Sequence, residues 1–291
     1  MDDPDGLHDA VVAWYAANAR DLPWRHDDAT PWGILVSEVM LQQTPVARVL
    51  PVWQEWMVRW PTPADLAAVP SGEAVRAWGK LGYPRRALRL HEAAAAISSR
   101  FGGEVPSSYD DLRTLAGIGD YTAAAVAAFT HGRRHVVLDT NVRRVLARVV
   151  TGADQPAPSI TKAERQVALD LLPEDGREAA TWSVAVMELG ALVCRPVAPR
   201  CGACPARDEC AWLAAGRPAY DGPRRKPQAF AGTDRQCRGR LMDVLRGQDG
   251  PATQAQLDGA WHDAEQRDRC LQSLLADGLL KDHADGTFAL P

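Results

Sequence analysis

No apolar run in this 291-residue sequence approaches the roughly 20 residues that cross a bilayer, so a transmembrane helix is not expected. The opening residues, Met1-Asp2-Asp3-Pro4-Asp5, are acidic and lack the apolar stretch of a secretory signal. A cytoplasmic protein without a membrane partner is the expectation. Surplus positive charge is also missing, since the net charge is −4. That excludes a uniformly basic chain, but a nucleic-acid binder needs only a local positive surface. No alternating strand pattern of useful length precedes residue 278, and there is no internal repeat or low-complexity tract. With 46% apolar and 24% charged residues, what remains is a globular, mainly helical chain.

Arginine is clustered, at Arg85-Arg86 with Arg89, at Arg133-Arg134, at Arg143-Arg144 with Arg148, at Arg224-Arg225-Lys226 and from Arg235 to Arg240. Such clusters suit a DNA-binding surface and equally suit solvated helix faces. Apolar residues recur at helical spacing from residue 8 onward, as in Leu35, Val39, Val46, Val49 and Leu50. Helices are expected at 8–17, 34–56, 71–81, 85–101, 109–115, 121–129 and 141–150, with a kink or break at Pro45 or Pro51. Proline and cations gather between Pro218 and Ala231, which reads as a linker. The expected domains are therefore 1–217, a linker at 218–231, and 232–291.

Four of the six cysteines form the pattern Cys194-x6-Cys201-x2-Cys204-x5-Cys210. A cytosolic chain is not expected to use them as disulfides. Four thiolates on one short loop, 194–210, can hold a tetrahedral zinc or a [4Fe–4S] cluster, and spacing alone leaves both open. A second motif, Leu115-Ala116-Gly117-Ile118-Gly119-Asp120-Tyr121-Thr122, sets two glycines between helices. Backbone N–H groups of the turn and the positive end of the next helix then make a site for a phosphate oxygen. Asp139, in Val137-Leu138-Asp139-Thr140-Asn141, reads both as a helix N-cap and as a candidate catalytic carboxylate. Glu38 lies among Val36, Val39 and Met40; a carboxyl buried there would hold a proton near neutral pH, as a general acid must. A surface position for Glu38 remains open on periodicity alone.

The cysteine loop, with Pro205 after Cys204, resembles that of the endonuclease III and MutY glycosylases, and the Gly117–Gly119 turn resembles their helix–hairpin–helix. Val36-Ser37-Glu38-Val39-Met40-Leu41-Gln42-Gln43-Thr44 is similar to the MutY-type adenine glycosylases. Leu22-Pro23-Trp24-Arg25, Leu81-Gly82-Tyr83, the Asp139 segment and Glu188-Leu189-Gly190-Ala191 follow in the same order, over about residues 8–226. The resemblance implies a helix–hairpin–helix DNA glycosylase fold of two helical lobes, with a [4Fe–4S] cluster on Cys194, Cys201, Cys204 and Cys210. It implies a base excision enzyme acting as a monomer on double-stranded DNA, and association with the nucleoid when bound there. Its substrate would be adenine opposite 8-oxoguanine or guanine.

By the same resemblance Glu38 protonates the adenine at N7 and Asp139 stabilises the positive sugar. Tyr121 stands where lyase members carry lysine, so no Schiff base and no lyase activity are expected. Arg20, Trp24, Arg25, Asn141 and Glu188 would support the base pocket. Gln42, Gln43, Thr44 and Tyr83 would contact or wedge the DNA, with Gly117 and Gly119 on its phosphates, and Arg195, Arg200 and Arg207 would present charge to it. Two rivals are a glycosylase removing thymine opposite guanine and a non-catalytic iron–sulfur DNA-binding regulator. The Gln42-Gln43-Thr44 run argues against the first, and retention of both Glu38 and Asp139 against the second.

The end of the chain departs from the family. MutY proteins typically continue into a β-rich domain resembling the Nudix fold, and about sixty residues after the linker are too few for one. Helices are expected from Asp234 to Arg246, from a Thr253 cap through Leu257 and Trp261, and from Glu265 to Ala276. A hairpin is expected around Asp285-Gly286. These are the elements of a small winged-helix-like α+β module, with Arg267 and Arg269 on the exposed face of its third helix beside Glu265, Asp268 and Asp277. Such a module would aid DNA affinity modestly and leave recognition of the opposing base to Gln43, Thr44 and Tyr83.

Overall fold

The computed structural model describes residues 4–222 and 229–291. Met1 to Asp3 of the acidic N-terminus, and Arg224, Arg225 and Lys226 of the expected linker, lie outside the described residues. The chain begins with α1 (Pro4–Asn18), α2 (Pro31–Leu41), α3 (Val46–Arg59), α4 (Pro63–Ala67), α5 (Ser71–Ala77) and α6 (Arg85–Arg100). Then come α7 (Tyr109–Arg113), α8 (Asp120–His131), α9 (Thr140–Leu146), α10 (Lys162–Asp170), α11 (Gly176–Leu192) and α12 (Ala211–Ala214). The C-terminal region adds α13 (Asp234–Arg246), β1 (Ala252–Thr253), α14 (Gln254–Asp258), α15 (Ala264–Ala276), β2 (Lys281–Asp282) and β3 (Thr287–Ala289). The chain forms two compact units. One holds the residues up to Ile34, Ser107–Arg113, and Gly119 onward to the linker; the other holds Leu35–Pro106, Thr114–Ile118 and the C-terminal region.

The first unit is built on α11. Asp175 caps it by accepting from the Arg177 and Glu178 amides, so two of the unpaired N–H groups at its start are satisfied. Trp182, Ala185, Val186 and Leu189 are buried at three- and four-residue spacing and share a core with Leu7 and Val11 of α1 and with Val142, Val145 and Leu146 of α9. Each of the larger of these side chains stabilises the unit by roughly 1.5–3 kcal/mol on full burial. The expected helix at 141–150 is α9 followed by a π-type turn at Ala147–Thr151. Helix α10, which the sequence reading did not anticipate, starts at a full capping box of Thr161 and Glu164.

In the second unit the expected 34–56 helix breaks at Pro45. Pro45 is the extended N-cap of α3, whereas Pro51 sits inside α3 without ending it. The Pro61-Thr62-Pro63 segment launches α4: Thr62 and Asp65 form a capping box and Pro63 occupies the first turn. Trp56, Trp60 and Trp78 are buried, with Trp56 edge-on to Trp60 at 4.9 Å and to Trp78 at 5.7 Å between centroids. Ala87, Leu90, Ala93, Ala94 and Ile97 give α6 its buried stripe.

The C-terminal module matches the expected winged-helix order and adds a strand. β1 and β2 both pair antiparallel with the central β3, in the register Ala252 with Phe288 and Lys281 with Ala289. Helix α14 ends at Asp258 before Gly259, so Trp261, expected within it, lies beyond and is buried with its indole N–H donating to Gln266 Oε1 at 2.7 Å. The module is fixed to the α5 helix of the same unit. One guanidinium nitrogen of Arg76 donates to the carbonyls of Leu245, Arg246 and Gln248 at 3.3, 2.7 and 2.8 Å. Arg246 Nε donates in return to Val75 O at 3.1 Å, and Gly72 N to Pro291 O at 2.6 Å. A Cβ on Gly72 would lie 2.5 Å from that Pro291 oxygen, so the close approach requires glycine. Arg76→Ala is expected to cost about 1–3 kcal/mol by stranding these carbonyls. The check is hydrogen exchange: protection of the α13 amides should fall while that of α11 is unchanged.

Candidate active site and metal centre

Asp139 stands at the N-cap of α9 in extended backbone, as its reading as a helix cap expects. Its Oδ1 accepts from the Asn141 and Val142 amides at 2.9 and 2.6 Å, and its Oδ2 accepts from Asn141 Nδ2 at 2.8 Å. Burial pushes its carboxyl above the ordinary range, against the lowering effect of those N–H donors and of the Arg144 charge. Asn141 is held in turn by Arg144, whose guanidinium donates to Asn141 Oδ1 at 2.7 Å and to Gly190 O at 2.8 Å. The fit of α11 against this site depends on Gly190, where a Cβ would lie 2.6 Å from the Asn141 Cβ. Tyr121, in the first turn of α8, packs with Ala124, Ala125, Ala128 and Val137.

Arg20, Arg25 and Glu188 form a second cluster in the same unit. Glu188 is fully buried in α11; Arg20 holds it through N, Nε and Nη2 at 3.0, 2.6 and 2.7 Å, and Arg25 through Nη2 at 3.0 Å. Burial alone would raise this carboxyl, but the hydrogen bonds and charges of the two arginines hold it down at about 2. Arg25 Nη1 is buried without a hydrogen-bond partner, and the guanidinium carbon lies 5.9 Å from the centroid of the Tyr15 ring. Trp24 is buried within the short turn Pro23–Arg25 beside it.

Of the two hairpin glycines only Gly117 is demanded by the backbone. It has φ +78°, and a Cβ there would meet Arg89 Cβ at 2.9 Å. Gly119 is extended and caps α8, and a Cβ on it would meet nothing within 4 Å. The space in front of that helix end is what a phosphate oxygen needs. Asp120 in the first turn would repel an anion, but Arg113 pairs with it at 2.8 Å.

Cys194, Cys201, Cys204 and Cys210 line one cavity together with Val145, Val149, Leu189, Val193 and Trp212. Arg148, 1% exposed, places Nη1 3.5 Å from Cys194 Sγ and is paired with Asp154 at 2.7 Å. Arg144 Nε donates to Cys194 O at 2.7 Å. Burial pushes the Cys194 thiol up and Cys204 to about 11. Among the described residues no three Cys, His, Asp or Glu side chains gather closely enough to hold a single metal ion. Arg200 and Arg207 are exposed on this loop, while Arg195 is half-buried and donates to Ala198 O.

In the second unit Glu38 is buried, 7% exposed, with Val36, Ser37, Val39 and Met40 buried around it in α2. The burial that these apolar neighbours suggested in the sequence is present. Gln43 and Tyr83 share a feature invisible in sequence: both adopt left-handed backbone, φ +57° and +49°, which is strained for residues other than glycine. Both are exposed, whereas Thr44 is buried and Gln42 half-buried. Arg86 holds them. Its Nη1 donates to the carbonyls of Val39, Met40 and Gln42 at 2.9, 3.1 and 2.6 Å, and its Nη2 to Thr44 Oγ1 and Gly82 O at 3.0 and 3.1 Å. Burial lowers this guanidinium to about 10, so it stays charged at neutral pH. The sequence reading listed Arg86 only as a member of a basic cluster. Its position one turn after an exposed aromatic on a helix start was the one available signal.

Comparison with known proteins gives the family of the chain. Residues 36–170 match the family described as HhH-GPD superfamily base excision DNA repair protein. The chain is 56% identical to the adenine DNA glycosylase of Mycobacterium tuberculosis (strain ATCC 25618 / H37Rv), over 97% of this chain and 92% of that protein. A solved thermostable thymine-DNA glycosylase superposes with a TM-score of 0.66 at 26% identity, covering 73% of this chain and 97% of that one. Endonuclease III in a non-covalent DNA complex shares the fold, with a TM-score of 0.61 at 22% identity over 74% of this chain and 99% of that one. The protein is therefore a base excision DNA glycosylase of the HhH-GPD superfamily, and within that superfamily it belongs to the adenine DNA glycosylase family.

Two outcomes follow from these clusters. Because Glu188 is held at about 2, its stabilising contribution is complete above the ordinary value of 4.5 and is lost as pH falls from there towards 2. Glu188→Gln should therefore be clearly less stable than the parent at pH 7, with the gap closing on titration to pH 3; denaturant midpoints at both values measure it. Arg86→Met should cost about 3–5 kcal/mol by leaving buried carbonyls unpaired. Arg86→Lys, keeping charge but not the fork, should recover only part of it.

Proposed function

We propose that this protein hydrolyses the N-glycosidic bond of adenine mispaired with 8-oxoguanine or guanine in double-stranded DNA, without lyase activity. The observation that carries the reading is Asp139: a half-buried carboxylate held by N–H donors at a helix start, beside Asn141. The near full-length likeness to a mycobacterial adenine glycosylase supports the choice of base, and the Gln42-Gln43-Thr44 run favours adenine over thymine. In this mechanism the adenine leaves the stack, and Glu38 gives a proton to N7. The C1′–N9 bond breaks with its electron pair going to the base. Asp139 stabilises the positive charge left on the sugar, directly or by a transient bond to C1′. Water adds at C1′ and loses a proton, leaving an abasic site. Tyr121 offers no amine for a Schiff base, so the strand stays intact.

We further propose that Cys194, Cys201, Cys204 and Cys210 hold a [4Fe–4S] cluster. What supports the reading is the donor set: the four cysteines line one cavity, among Val145, Val149, Leu189, Val193 and Trp212, and four thiolates are the donors such a cluster takes. Arg144 and Arg148 supply cations beside Cys194, against the negative charge of a thiolate-bound centre. Such a centre would cross-link the loop that carries the exposed Arg200 and Arg207. Cytoplasmic location and action as a monomer complete the reading, with domain limits at 1–217 and 232–291.

Single-turnover assays on A:8-oxoguanine, A:G and T:G duplexes, each followed by hot alkali, test the activity. Cleavage should require alkali, and T:G should be the poorest substrate. Glu38→Gln should abolish base release while duplex binding persists, and Asp139→Asn should lower the rate by about two to four orders of magnitude. With burial raising the Asp139 carboxyl, base release should begin to fall on acidification at a higher pH than an exposed aspartate would set. The purified protein should be brown with about four irons per chain; a colourless, active, zinc-loaded protein would contradict the cluster.

A further inference from the structure

The first turn of α13 in the C-terminal module reaches the residue read as the DNA wedge. Thr233 caps the helix by accepting from Gln236 N, and Asp234 is held by Arg269 Nη2 and Gln266 Nε2, each at 2.9 Å. Arg235, exposed beside Asp234, donates to the Tyr83 hydroxyl, and its guanidinium carbon lies 5.0 Å from the centroid of the Tyr83 ring. The guanidinium carbon of Arg86 lies 5.7 Å from the same ring. The other end of α13 is gripped by Arg76 through the carbonyls of Leu245 and Arg246. A 13-residue helix, roughly 20 Å long, is thus tied to the α5–α6 segment at both of its ends.

Tyr83 needs such support. Its backbone is left-handed, and the residue is 45% exposed. Meanwhile α15, the helix that a winged helix commonly lays in a groove, has its cations matched internally: Arg267 pairs with Asp258 at 3.1 Å and Arg269 with Asp234 at 2.9 Å. The module's Arg235, by contrast, is turned to Tyr83.

We propose that Arg235 is a positioning residue: through it the C-terminal module sets the conformation in which Tyr83 enters DNA beside the opposing base. The proposal rests on the reading of Tyr83 as the inserted residue. Stacking and hydrogen bonding by Arg235 restrict the ring before DNA arrives, so less rotamer freedom is lost on insertion. The module therefore takes part in reading the opposing base without touching that base.

The test is a double-mutant cycle in the full-length protein, since Arg235 is exposed and its loss removes no core contact. Single-turnover rates on A:8-oxoguanine are measured for Arg235→Ala, Tyr83→Ala and the double variant, with 2-aminopurine fluorescence next to the opposing base reporting insertion. Arg235→Ala should slow base release by about three- to tenfold and reduce the insertion signal. Tyr83→Ala should do more, and the double variant should equal Tyr83→Ala, because Arg235 acts only through that ring. Arg235→Lys, which keeps a charged donor, should fall between Arg235→Ala and the parent. Losses that multiply in the double variant, with a shallower salt dependence for Arg235→Ala, would show a separate phosphate contact and overturn the proposal. Parent-like rate and insertion in Tyr83→Ala alone would instead overturn the reading of Tyr83.

Discussion

A helix that stops leaves carbonyl oxygens without partners, and this protein satisfies them with arginine side chains. Arg86 serves the end of α2, Arg76 the end of α13, and Arg144 the carbonyls of Gly190 and Cys194 as α11 gives way to the cysteine loop. Arg148 does the same for Arg195 O and Asp154 O. Arg86, Arg144 and Arg148 are 8, 6 and 1% exposed, so each is bound into the interior and cannot shift without stranding its acceptors. The segments fixed in this way are those on which the proposed function rests: Gln42 to Thr44, the Asp139–Asn141 cap, and the cysteine loop. A planar guanidinium offers five donors in a fixed fork, against the three of lysine, so it can serve more acceptors at once.

This arrangement changes the meaning of the arginine clusters. Part of the positive charge that suggested a DNA-binding face in the sequence is turned inward, as with Arg86, Arg144 and Arg148. Of the two arginines expected on the exposed face of α15, Arg267 is half-buried and paired with Asp258, and Arg269 is paired with Asp234. Exposed cations remain at Arg200 and Arg207 and near Tyr83, where local field rather than net charge governs approach to phosphates.

Most of the helices were legible because their apolar residues recur at helical spacing and their starts carry caps. The α13 helix runs from Asp234 to Arg246 as expected, preceded by Thr233. As punctuation, proline had two possible roles. Pro63 begins a helix and Pro45 separates two, while Pro51 sits inside one, because proline is compatible with a first turn and its cost elsewhere depends on the packing that surrounds it. Strand β1 was not seen because two residues give no period; its existence depends on β3 arriving beside it.

By itself the sequence determined the helical class, the family resemblance, the cysteine set, and the capping place of Asp139, since each is a local pattern of residue types and spacing. Glu38 stood out for its apolar neighbours, but its burial was decided by packing that no window of sequence contains. The tertiary structure alone decided the left-handed backbone of Gln43 and Tyr83, because that strain is sustained by Arg86, whose acceptors lie up to 47 residues away in the chain. It alone decided that Arg20, Arg25 and Glu188 are a single charge cluster, with Arg20 and Glu188 168 residues apart. And it alone put Arg235 on Tyr83, 152 residues away, because an exposed arginine has no preferred partner until folding brings one within reach.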